Sequence, residues 1–463
     1  MADLHIQLDR DQGAIAGQIG SELRDAIRSG RLAAGTRLPA TRDLAADLQV
    51  SRGVVVEAYE QLVAEGFLVS RVGVGTQVTP VPAAGAAPRQ RAAPPARPAS
   101  DTPAPYYGHR PTSPDLSHFP RERWLAAVRH VLATVPSDAL DYGDPGGVPE
   151  LREELAGYLR RVRAADARPE NLIIVGGVAQ GLSLVLHVLS RQRPLRLAVE
   201  DPTSHRQAPL LRRAGARLVP VPVDEEGLDV RRLSGDAVLV TPAHQFPTGV
   251  VLSPSRRAAL MEWAHAGDRV ILEDDYDAEF RFDRDPVGCL QGLAPDRVVL
   301  SGSVSKALAP GLRLGWVAAP PDLAEDVRRA RGELDLGSPV IEQYALAHFL
   351  RTGGYDKHLR RMRREYRRRR DALVRALAAE LPEISVKGID AGLHVYLELP
   401  GGWDEPRTAR VARELGLAAE PVGPMRETPG EPAVAVGFAR LPVHKAAEAV
   451  RGLKVRMSGH AMD

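Results

Sequence analysis

Residues 301–315 have the sequence SGSVSKALAPGLRLG, in which Lys306 follows small hydroxyl residues and precedes Arg313 by seven positions. A lysine amine forms a Schiff base with an aldehyde, and an arginine beside serine hydroxyls binds a phosphate. The stretch therefore predicts a cofactor that carries both groups, linked at Lys306 and held at its phosphate by Arg313 and the serines. An exposed lysine in a flexible loop is the alternative that this stretch alone leaves open.

The length and composition indicate a multidomain globular protein. A chain of 463 residues suggests about two to three domains. The net charge of +2 favours no particular class of partner, and a single cysteine, Cys289, excludes an intrachain disulfide framework. The N-terminus lacks a basic segment followed by an apolar run, and no apolar stretch approaches the ~20 residues of a membrane span. We expect a cytoplasmic protein without a membrane partner.

Three helices are predicted in residues 1–80, which we assign to a first domain. Apolar residues recur at helical spacing from Ile15, and a second helix follows Pro39. Ser51 is placed to cap a third helix that starts at Arg52. Two short helices joined by a tight turn are typical of a helix-turn-helix motif, whose recognition helix meets base edges with its first residues.

A β-hairpin, or wing, is predicted after the third helix. Strand-like runs within 67–78 surround a glycine-containing tip. Glycines there allow close approach to a phosphate backbone or minor groove, and Arg71 supplies positive charge. Composition alone does not indicate DNA binding by this segment, because residues 1–80 contain eight arginines and no lysine against ten carboxylates. A purely structural bundle is the alternative.

The order of these features resembles the GntR family of winged-helix regulators. The strings that carry the resemblance are Leu38-Pro39-Ala40-Thr41-Arg42-Asp43-Leu44-Ala45, Val50-Ser51-Arg52, Ala58-Tyr59-Glu60 and Gly73-Val74-Gly75-Thr76. The resemblance implies a DNA-binding set of Arg42, Ser51, Arg52, Gly53, Arg71, Gly73 and Thr76. The family usually has threonines after the Ser-Arg pair, where this chain has Gly53 and Val54. That difference argues against direct base readout at these two positions.

Residues 81–105 are mostly alanine and proline, which favours an extended, semi-rigid linker. At ~3.1 Å per residue its reach is roughly 75 Å, enough for the first domain to cross to a partner subunit in a domain-swapped dimer. A disordered tether without preferred geometry is the alternative.

Strand-like and helix-like segments alternate in residues 106–463, which predicts an α/β domain with a mainly parallel sheet. Residues 172–175 form a buried strand in this interpretation, and a helix opens after two glycines. The backbone N–H groups of Gly177, Val178 and Ala179 at that helix start are placed to cradle a phosphate. A two-glycine turn alone is weak support.

Residues 270–276 form an apolar strand that ends in carboxylates and a tyrosine. An aspartate there can pair with a pyridinium nitrogen and keep it protonated, and Tyr276 can donate to the ring's phenolate oxygen. Acidic strand ends also bind metals, but no His/Cys cluster of metal-ligand spacing accompanies this one. We therefore expect no metal.

The motifs of the large region resemble those of fold-type-I aminotransferases, which implies a smaller C-terminal subdomain as well. They comprise Tyr142-Gly143-Asp144-Pro145-Gly146-Gly147, Glu200-Asp201-Pro202, Thr241 to Gly249, Glu273 to Arg281 and Ser303 to Gly315. The strings His-Gln-Phe-Pro-Thr-Gly and Asp-Asp-Tyr-Asp-Ala-Glu-Phe-Arg behind a GntR-like head are similar to those of MocR transcriptional regulators. The likeness covers nearly the whole chain except the linker.

That resemblance implies a pyridoxal 5′-phosphate site. Lys306 would link the cofactor, Asp274 would hold the ring nitrogen and Tyr276 the ring oxygen. The phosphate would be held by Arg313 with Ser303 and Ser305, together with Tyr142 of a neighbouring subunit in a homodimer.

Two departures from the aminotransferase pattern concern the substrate. Where relatives often place a ring-stacking tyrosine, this chain has Thr203-Ser204-His205, so His205 is at best a substitute. Where amino-acid-processing relatives place an arginine for the substrate carboxylate, it has Ala435. Arg206 could partly replace that arginine as an effector-binding residue, and the loop before Ala435 could bring Arg426 into the same place.

Lys357 to Arg370 is dominated by arginine, with Leu359, Met362 and Tyr366 at helical spacing. The pattern predicts an amphipathic helix packed by its apolar stripe. The arginines form its solvated face in one interpretation and contact DNA beside the operator in the other.

The combined features predict a DNA-binding regulator that senses a small molecule, pyridoxal phosphate itself or an amine, through an aminotransferase-like domain. A working aminotransferase with an attached DNA-binding domain is the alternative, because the active-site set is nearly complete. Ala435 and the DNA-binding head argue against it, so enzymatic activity is left open. A third possibility, a dimerisation scaffold, conflicts with the presence of Lys306, Asp274, Tyr276 and Arg313 together.

Overall fold

The structure is a computed structural model that describes residues 6–11, 13–71, 75–79, 110–191, 193–283 and 287–458. The chain divides into two compact units, Met1–Pro103 and Ala104–Asp463. The predicted linker, 81–105, lies outside the described residues, and so does Gly73 of the wing.

Three helices and a two-stranded sheet build the first unit. They are α1 (Ile15–Arg28), α2 (Thr41–Asp47), α3 (Arg52–Ala64), β1 (Leu68–Arg71) and β2 (Gly75–Val78). The helical spacing of Ile19, Leu23 and Ala26 turns one face of α1 inward, where these side chains are at most 5% exposed. Burial of this face against α3 and the hairpin forms the unit's core. The predicted winged helix-turn-helix is confirmed.

An eight-stranded sheet forms the centre of the second unit. Its strands are β3 (Leu172–Val175), β4 (Leu195–Asp201), β5 (Ala216–Asp224), β6 (Gly227–Leu228), β7 (Ala237–Val240), β8 (Val270–Asp274), β9 (Val298–Ser303) and β10 (Gly315–Ala318). The order is β3-β10-β9-β8-β7-β4-β5-β6. Strands β9, β8, β7, β4 and β5 are parallel, whereas β10 runs antiparallel to both of its neighbours. The predicted mainly parallel sheet is confirmed.

Eight helices accompany this sheet. They are α4 (Arg121–Thr134), α5 (Pro149–Arg163), α6 (Val178–Leu189), α7 (Ala208–Arg213), α8 (Pro254–Ala266), α9 (Pro321–Asp335), α10 (Val340–Arg351) and α11 (Gly354–Glu380). Proline opens α5, α8 and α9, where its missing N–H is not needed. Alternate residues of β3 belong to different core clusters, Leu172 and Ile174 to one, Ile173 and Val175 to another. Both sheet faces are therefore buried, which explains the continuous apolar sequence of this strand.

A smaller antiparallel sheet forms the predicted C-terminal subdomain. Its strands are β11 (Ser385–Lys387), β12 (His394–Glu398), β13 (Ala418–Pro421) and β14 (Ala433–Gly437), in the order β11-β12-β14-β13. Helices α12 (Glu405–Glu414) and α13 (Ala446–Ser458) complete it. Val434 and Val436 of β14 pack in the same large core as Leu172 and Ile174 of β3, which joins the subdomain to the central sheet.

The arginine-rich helix is α11, and its arginines are not one solvated face. Leu359, Met362 and Tyr366 are buried, as their spacing predicts. Arg369 and Arg370 are buried as well, which corrects the expectation for these two residues. Arg369 donates to the Asp115 carboxylate over 2.8 Å, because a buried guanidinium needs a charged partner. Among the described helices, none is both long and apolar enough to cross a membrane.

Candidate functional site

The carboxyl ends of the parallel strands place the predicted cofactor residues along one edge of the central sheet. Asp274 ends β8 and Ser303 ends β9, and the register pairs Asp274 with Ser301 of the neighbouring strand. Lys306 follows three residues after β9. In open α/β sheets this edge is where ligands bind.

One carboxylate oxygen of Asp274 accepts a hydrogen bond, and the other has no hydrogen-bond partner among the described residues. The Gln207 amide donates to Oδ2 over 3.2 Å. Oδ1 is buried and has no hydrogen-bond partner among the described residues. Burial raises the pKa of Asp274 to about 6. A protonated ring nitrogen is a donor that would satisfy Oδ1 and favour the ionised carboxylate.

Lys306 is placed as a nucleophilic amine. Its Nζ donates to the Thr112 hydroxyl over 3.2 Å. Burial lowers the pKa of Lys306 to about 8, although the Asp277 and Asp274 carboxylates oppose this shift. A larger fraction of the amine is therefore unprotonated near neutral pH, which attack on an aldehyde requires.

The backbone turn predicted to hold a phosphate lies where β3, β9 and β10 meet. Gly315 of β10 pairs with both Val175 and Ser303, so the register brings the Gly177 turn beside the start of the lysine loop. A Cβ on Gly315 would lie 2.8 Å from the Gly177 Cα, too close for any side chain. Close packing of the two backbones thus requires this glycine.

Arg313 lies over the same turn. A Cβ on Gly177 would be 3.3 to 3.5 Å from the Arg313 guanidinium atoms, and Gly177 itself has a φ of +110°. Ser305 donates its backbone N–H to the Ser303 hydroxyl over 3.3 Å. Val178 and Ala179 begin α6 at this point. The structure therefore gathers Arg313, Ser303 and the Gly177 turn, which are separated by more than a hundred positions in the sequence, in one place.

Tyr276 lies beside a buried histidine and aspartate. Its hydroxyl oxygen is 3.0 Å from His244 Nδ1, and the same nitrogen is 3.0 Å from Asp277 Oδ2. Burial raises the pKa of the Tyr276 hydroxyl well above its usual value, so the group remains a proton donor at neutral pH. His394, from the small sheet, stacks obliquely near His244 with ring centroids 5.1 Å apart.

The region around Ala435 holds two arginines, and both are engaged within the chain. Ala435 is fully buried and pairs with Glu420 and Tyr396 on its two neighbouring strands. Arg206 donates to the Glu420 carboxylate over 2.5 Å. Arg426 donates to the Tyr396 hydroxyl over 2.6 Å. The loop before β14 thus brings Arg426 to a residue directly opposite Ala435.

Two further predicted cofactor residues are at the surface. The Tyr142 side chain is 83% exposed on this chain. A contact from Tyr142 to a neighbouring subunit stays a prediction. His205 is exposed too, and burial of part of its ring, followed by the nearby Arg206 charge, lowers its pKa.

The predicted DNA-binding residues are at the surface of the first unit. Arg42, Arg52, Gly53 and Arg71 are exposed, and Thr76 is half-buried in β2. Arg52 donates its Nε proton to the Thr41 hydroxyl at 3.4 Å, a long contact between the two helices of the motif.

Ser51 occupies the cap position of α3, but its hydroxyl makes no capping hydrogen bond, so that expectation is wrong. The Ser51 carbonyl instead accepts from the Val54 N–H over 3.1 Å. The hydroxyl is therefore available to an outside acceptor.

Comparison with known proteins identifies the two units. Residues 15–78 match the family "Bacterial regulatory proteins, gntR family", and residues 113–448 match "Aminotransferase class I and II". The chain is 36% identical over 430 residues to the HTH-type pyridoxine biosynthesis transcriptional regulator PdxR of Corynebacterium glutamicum, covering 90% of this chain and 91% of the relative. It is 32% identical to the probable rhizopine catabolism regulatory protein MocR of Rhizobium meliloti, covering 96% and 94%. The chain belongs to the MocR family.

Solved structures show how a MocR chain relates to enzymes of the same fold. The kynurenine aminotransferase of Pyrococcus horikoshii, solved with PMP, aligns with a TM-score of 0.69 at 25% identity. The alignment covers 77% of this chain and 92% of the enzyme. The chain is accordingly a DNA-binding transcriptional regulator whose larger unit has the fold of a pyridoxal-phosphate-dependent family.

Sequence reasoning missed four residues of this MocR site. Thr112 and Gln207 contact Lys306 and Asp274, whereas His244 and Glu420 contact Tyr276 and Arg206. His244 lies in a motif string, so its position gave a signal. Thr112 is 194 residues from Lys306, and no local pattern could connect them.

Proposed function

We propose that this MocR regulator binds pyridoxal 5′-phosphate at Lys306 and that occupancy of this site alters how the first unit binds operator DNA. The observation that carries the proposal is the buried Asp274 Oδ1, which has no hydrogen-bond partner among the described residues and belongs to a carboxyl group close enough to Lys306 to be affected by its charge. A buried acceptor without a donor costs about 1–3 kcal/mol, so its presence indicates a ligand that supplies the donor. The cofactor's pyridine nitrogen is such a donor.

The roles of the other residues follow from their places. Lys306 would link the aldehyde, and Asp274 would hold the ring nitrogen protonated. Tyr276 would donate to the ring oxygen, and His205 could cover one ring face. The phosphate would be held by Arg313, Ser303, Ser305, the N–H groups of Gly177, Val178 and Ala179, and Tyr142 of a second copy in a homodimer. When bound, the cofactor supplies an aldehyde and an electron-withdrawing ring.

The cofactor itself is the effector that the contacts favour. Arg206, the residue available to hold an effector carboxylate, is paired with Glu420, and Arg426 is bound to Tyr396. A carboxylate that enters beside Ala435 would meet the Glu420 charge and no unengaged donor from these two arginines. A relative's name, which refers to pyridoxine biosynthesis, agrees with a role in vitamin B6 metabolism.

Slow transamination is the second candidate function. It is supported by the presence of Lys306, Asp274 and Tyr276 together, the residue types that the chemistry needs. Its most direct substrate is an amino compound that Arg206 binds once the Arg206–Glu420 ion pair has opened.

The first unit, residues 1–80, would supply the operator contacts through Arg42, Arg52 and Arg71, with Gly73 and Thr76 in the wing. The linker of 81–105 would connect it to the sensing domain of 106–463.

Operator binding measured with and without the cofactor tests the proposal. The full-length protein is titrated into labelled DNA from upstream of its own gene, and fluorescence anisotropy is recorded with and without added pyridoxal phosphate. We expect the cofactor to change the affinity of the wild type and to have no effect on Lys306→Ala. An equal cofactor effect on both proteins, or no effect on either, would contradict sensing through Lys306.

A further inference from the structure

A buried cluster beside the proposed cofactor site consists of Tyr276, His244, Asp277 and His394. Of these residues only Tyr276 has a role in the function proposed above. His244, Asp277 and His394 are 3%, 1% and 2% exposed. His244 follows β7, Asp277 follows β8, and His394 begins β12 of the small sheet. Buried polar groups of this kind are costly unless their hydrogen bonds are satisfied.

The partners of the two histidines fix which ring nitrogens carry protons. His394 Nε2 is 3.0 Å from the Pro247 carbonyl oxygen, which only accepts, so Nε2 carries the proton. His244 Nδ1 is 3.0 and 3.3 Å from the two oxygens of the Asp277 carboxylate. A carboxylate also only accepts, so His244 carries its proton on Nδ1.

This assignment determines the direction of the Tyr276 hydroxyl. Its oxygen lies 3.0 Å from Nδ1, whose one proton is shared between the Asp277 carboxylate and Tyr276, so at this contact the tyrosine oxygen accepts. The phenolic proton then points away from the imidazole. The Asp277 carboxylate also attracts this proton, so the phenolate oxygen of a bound ring would compete with Asp277 for it.

The backbone of the small subdomain holds the imidazole in place. Gly392 has a φ of +71°, and a Cβ there would lie 2.5 Å from His244 Nδ1 and 2.6 Å from Asp277 Oδ2. No side chain fits at Gly392, and its backbone packs directly against the pair. The imidazole therefore has little room to turn over.

We propose that His244, oriented by Asp277, is a positioning residue that directs the Tyr276 hydroxyl proton toward the ring oxygen of the bound cofactor. The proposal rests on the proposed cofactor site. It adds two residues to that site, His244 and Asp277, which would act on the cofactor through the Tyr276 hydroxyl. Other titratable groups that face the cluster are Asp274, Glu200 and Lys306.

Two amide substitutions separate a positioning role from simple space filling. The amide nitrogen of asparagine reaches about the position of Nδ1, and that of glutamine reaches about the position of Nε2. His244→Asn therefore keeps the donor to Tyr276, whereas His244→Gln removes it. His394→Gln is the matched control in the same cavity, because its amide still reaches the Pro247 carbonyl.

The readout is the visible absorbance of the full-length, cofactor-loaded protein as a function of pH. Without a donor from Tyr276, the ring oxygen and the lysine nitrogen hold their shared proton more tightly. The titration midpoint of His244→Gln should then rise by about one pH unit, the effect of one typical hydrogen bond. His244→Asn and His394→Gln should stay near the wild type. Equal midpoints for His244→Asn and His244→Gln would overturn the proposal.

A cofactor-free measurement distinguishes failure of this proposal from failure of the cofactor site. Nitrogen-15 NMR of histidine-labelled protein without cofactor should show the His244 proton on Nδ1 and the His394 proton on Nε2, with the two signals identified through the variants. A proton on His244 Nε2 would overturn the positioning role even in a protein that binds the cofactor. A wild type that never binds pyridoxal phosphate would instead defeat the proposed function.

Metal analysis of the purified protein adds an independent test. Ligand atoms of His244, Asp277 and His394 lie within 4.8 Å of one another, close enough to hold a metal ion. A metal bound at His244 Nδ1 would displace the proton that orients Tyr276. Stoichiometric metal that is lost on His244→Gln would therefore overturn the proposal, and a metal-free protein supports it.

Discussion

The residues around Asp274, the proposed cofactor side, and those around Ala435 differ in whether their polar groups already have partners within the chain. On the cofactor side, Asp274 Oδ1 has no partner among the described residues, and the pKa of Lys306 is lowered to about 8 by burial. On the side of Ala435, the charges of Arg206 and Glu420 neutralise each other within the chain. An unpartnered acceptor on Asp274 and a neutralised ion pair beside Ala435 agree with the proposed cofactor site and argue against a second anionic molecule beside Ala435.

The cofactor side is tested most severely by Lys306→Ala. We expect complete loss of the visible absorbance of the lysine-linked cofactor, because the variant lacks the amine that forms the link. No other described amine contacts Thr112 in place of Lys306. The fold should remain, which thermal unfolding monitored by circular dichroism can check. If the wild type shows no such absorbance after reconstitution, the proposed cofactor site is wrong and its comparison with the Ala435 side no longer holds.

Asp274→Asn tests the unpartnered oxygen. A charge-assisted hydrogen bond contributes about 1.5–3 kcal/mol, so the variant should bind pyridoxal phosphate about 10- to 150-fold more weakly. The pKa of Asp274 is raised to about 6 in the cofactor-free protein, so acid protonates it and abolishes the acceptor. Wild-type affinity should therefore fall as the pH drops through about 6. Equilibrium dialysis from pH 5 to 8 measures both effects, and an equally steep loss of affinity in the variant would count against Asp274 as the titrating group.

Arg52→Ala extends the comparison to the first unit, where the arginines are exposed and available to a partner. If Arg52 reads a guanine, operator affinity should fall by about 1–3 kcal/mol. Arg410→Ala, at an exposed position of α12, is the charge-matched control and should bind as the wild type does. Unchanged operator affinity in Arg52→Ala would show that the recognition helix is assigned wrongly.

Glu420→Gln should produce the smallest change and sharpens the comparison from the other side. Loss of the carboxylate frees Arg206, whose side chain is 35% exposed. We expect α-amino acids to bind about two- to fivefold more tightly, the contribution of a partly exposed ion pair. Stopped-flow spectra with a panel of amino acids measure this gain. Rapid and complete conversion of the wild-type cofactor to its pyridoxamine form would show that α-amino acids bind beside Ala435 even while Glu420 is present.

The local elements were predictable because short-range rules govern them. Helix α1 ends at Arg28, just before Ser29-Gly30, and β3 covers the apolar run from Leu172 to Val175. Lys306 and Arg313 were predicted from the residue types that the cofactor chemistry requires, and the family resemblance implied the role of Asp274. Strand order and register then explain why residues far apart in sequence meet at one sheet edge.

Other features depended on the tertiary structure. The side chains of Arg369 and Arg370 look like part of a solvated face, but distant carboxylates on Asp115 and Asp390 pair with them. The Ser51 hydroxyl fits the capping pattern, yet a backbone bond takes its place at the start of α3. Each of these depends on a competing partner, which local sequence does not specify.

The sequence by itself determined the family, the order of the domains, most element types and the chemistry that Lys306, Asp274 and Tyr276 can perform. These properties follow from residue type and spacing of a few positions. Only the tertiary structure decided that Glu420 engages Arg206, that Thr112 meets Lys306 and that His244 faces Tyr276. Hydrogen bonds and ion pairs form over about 3 Å, and a contact over 194 residues of chain exists only after the sheet has set its register.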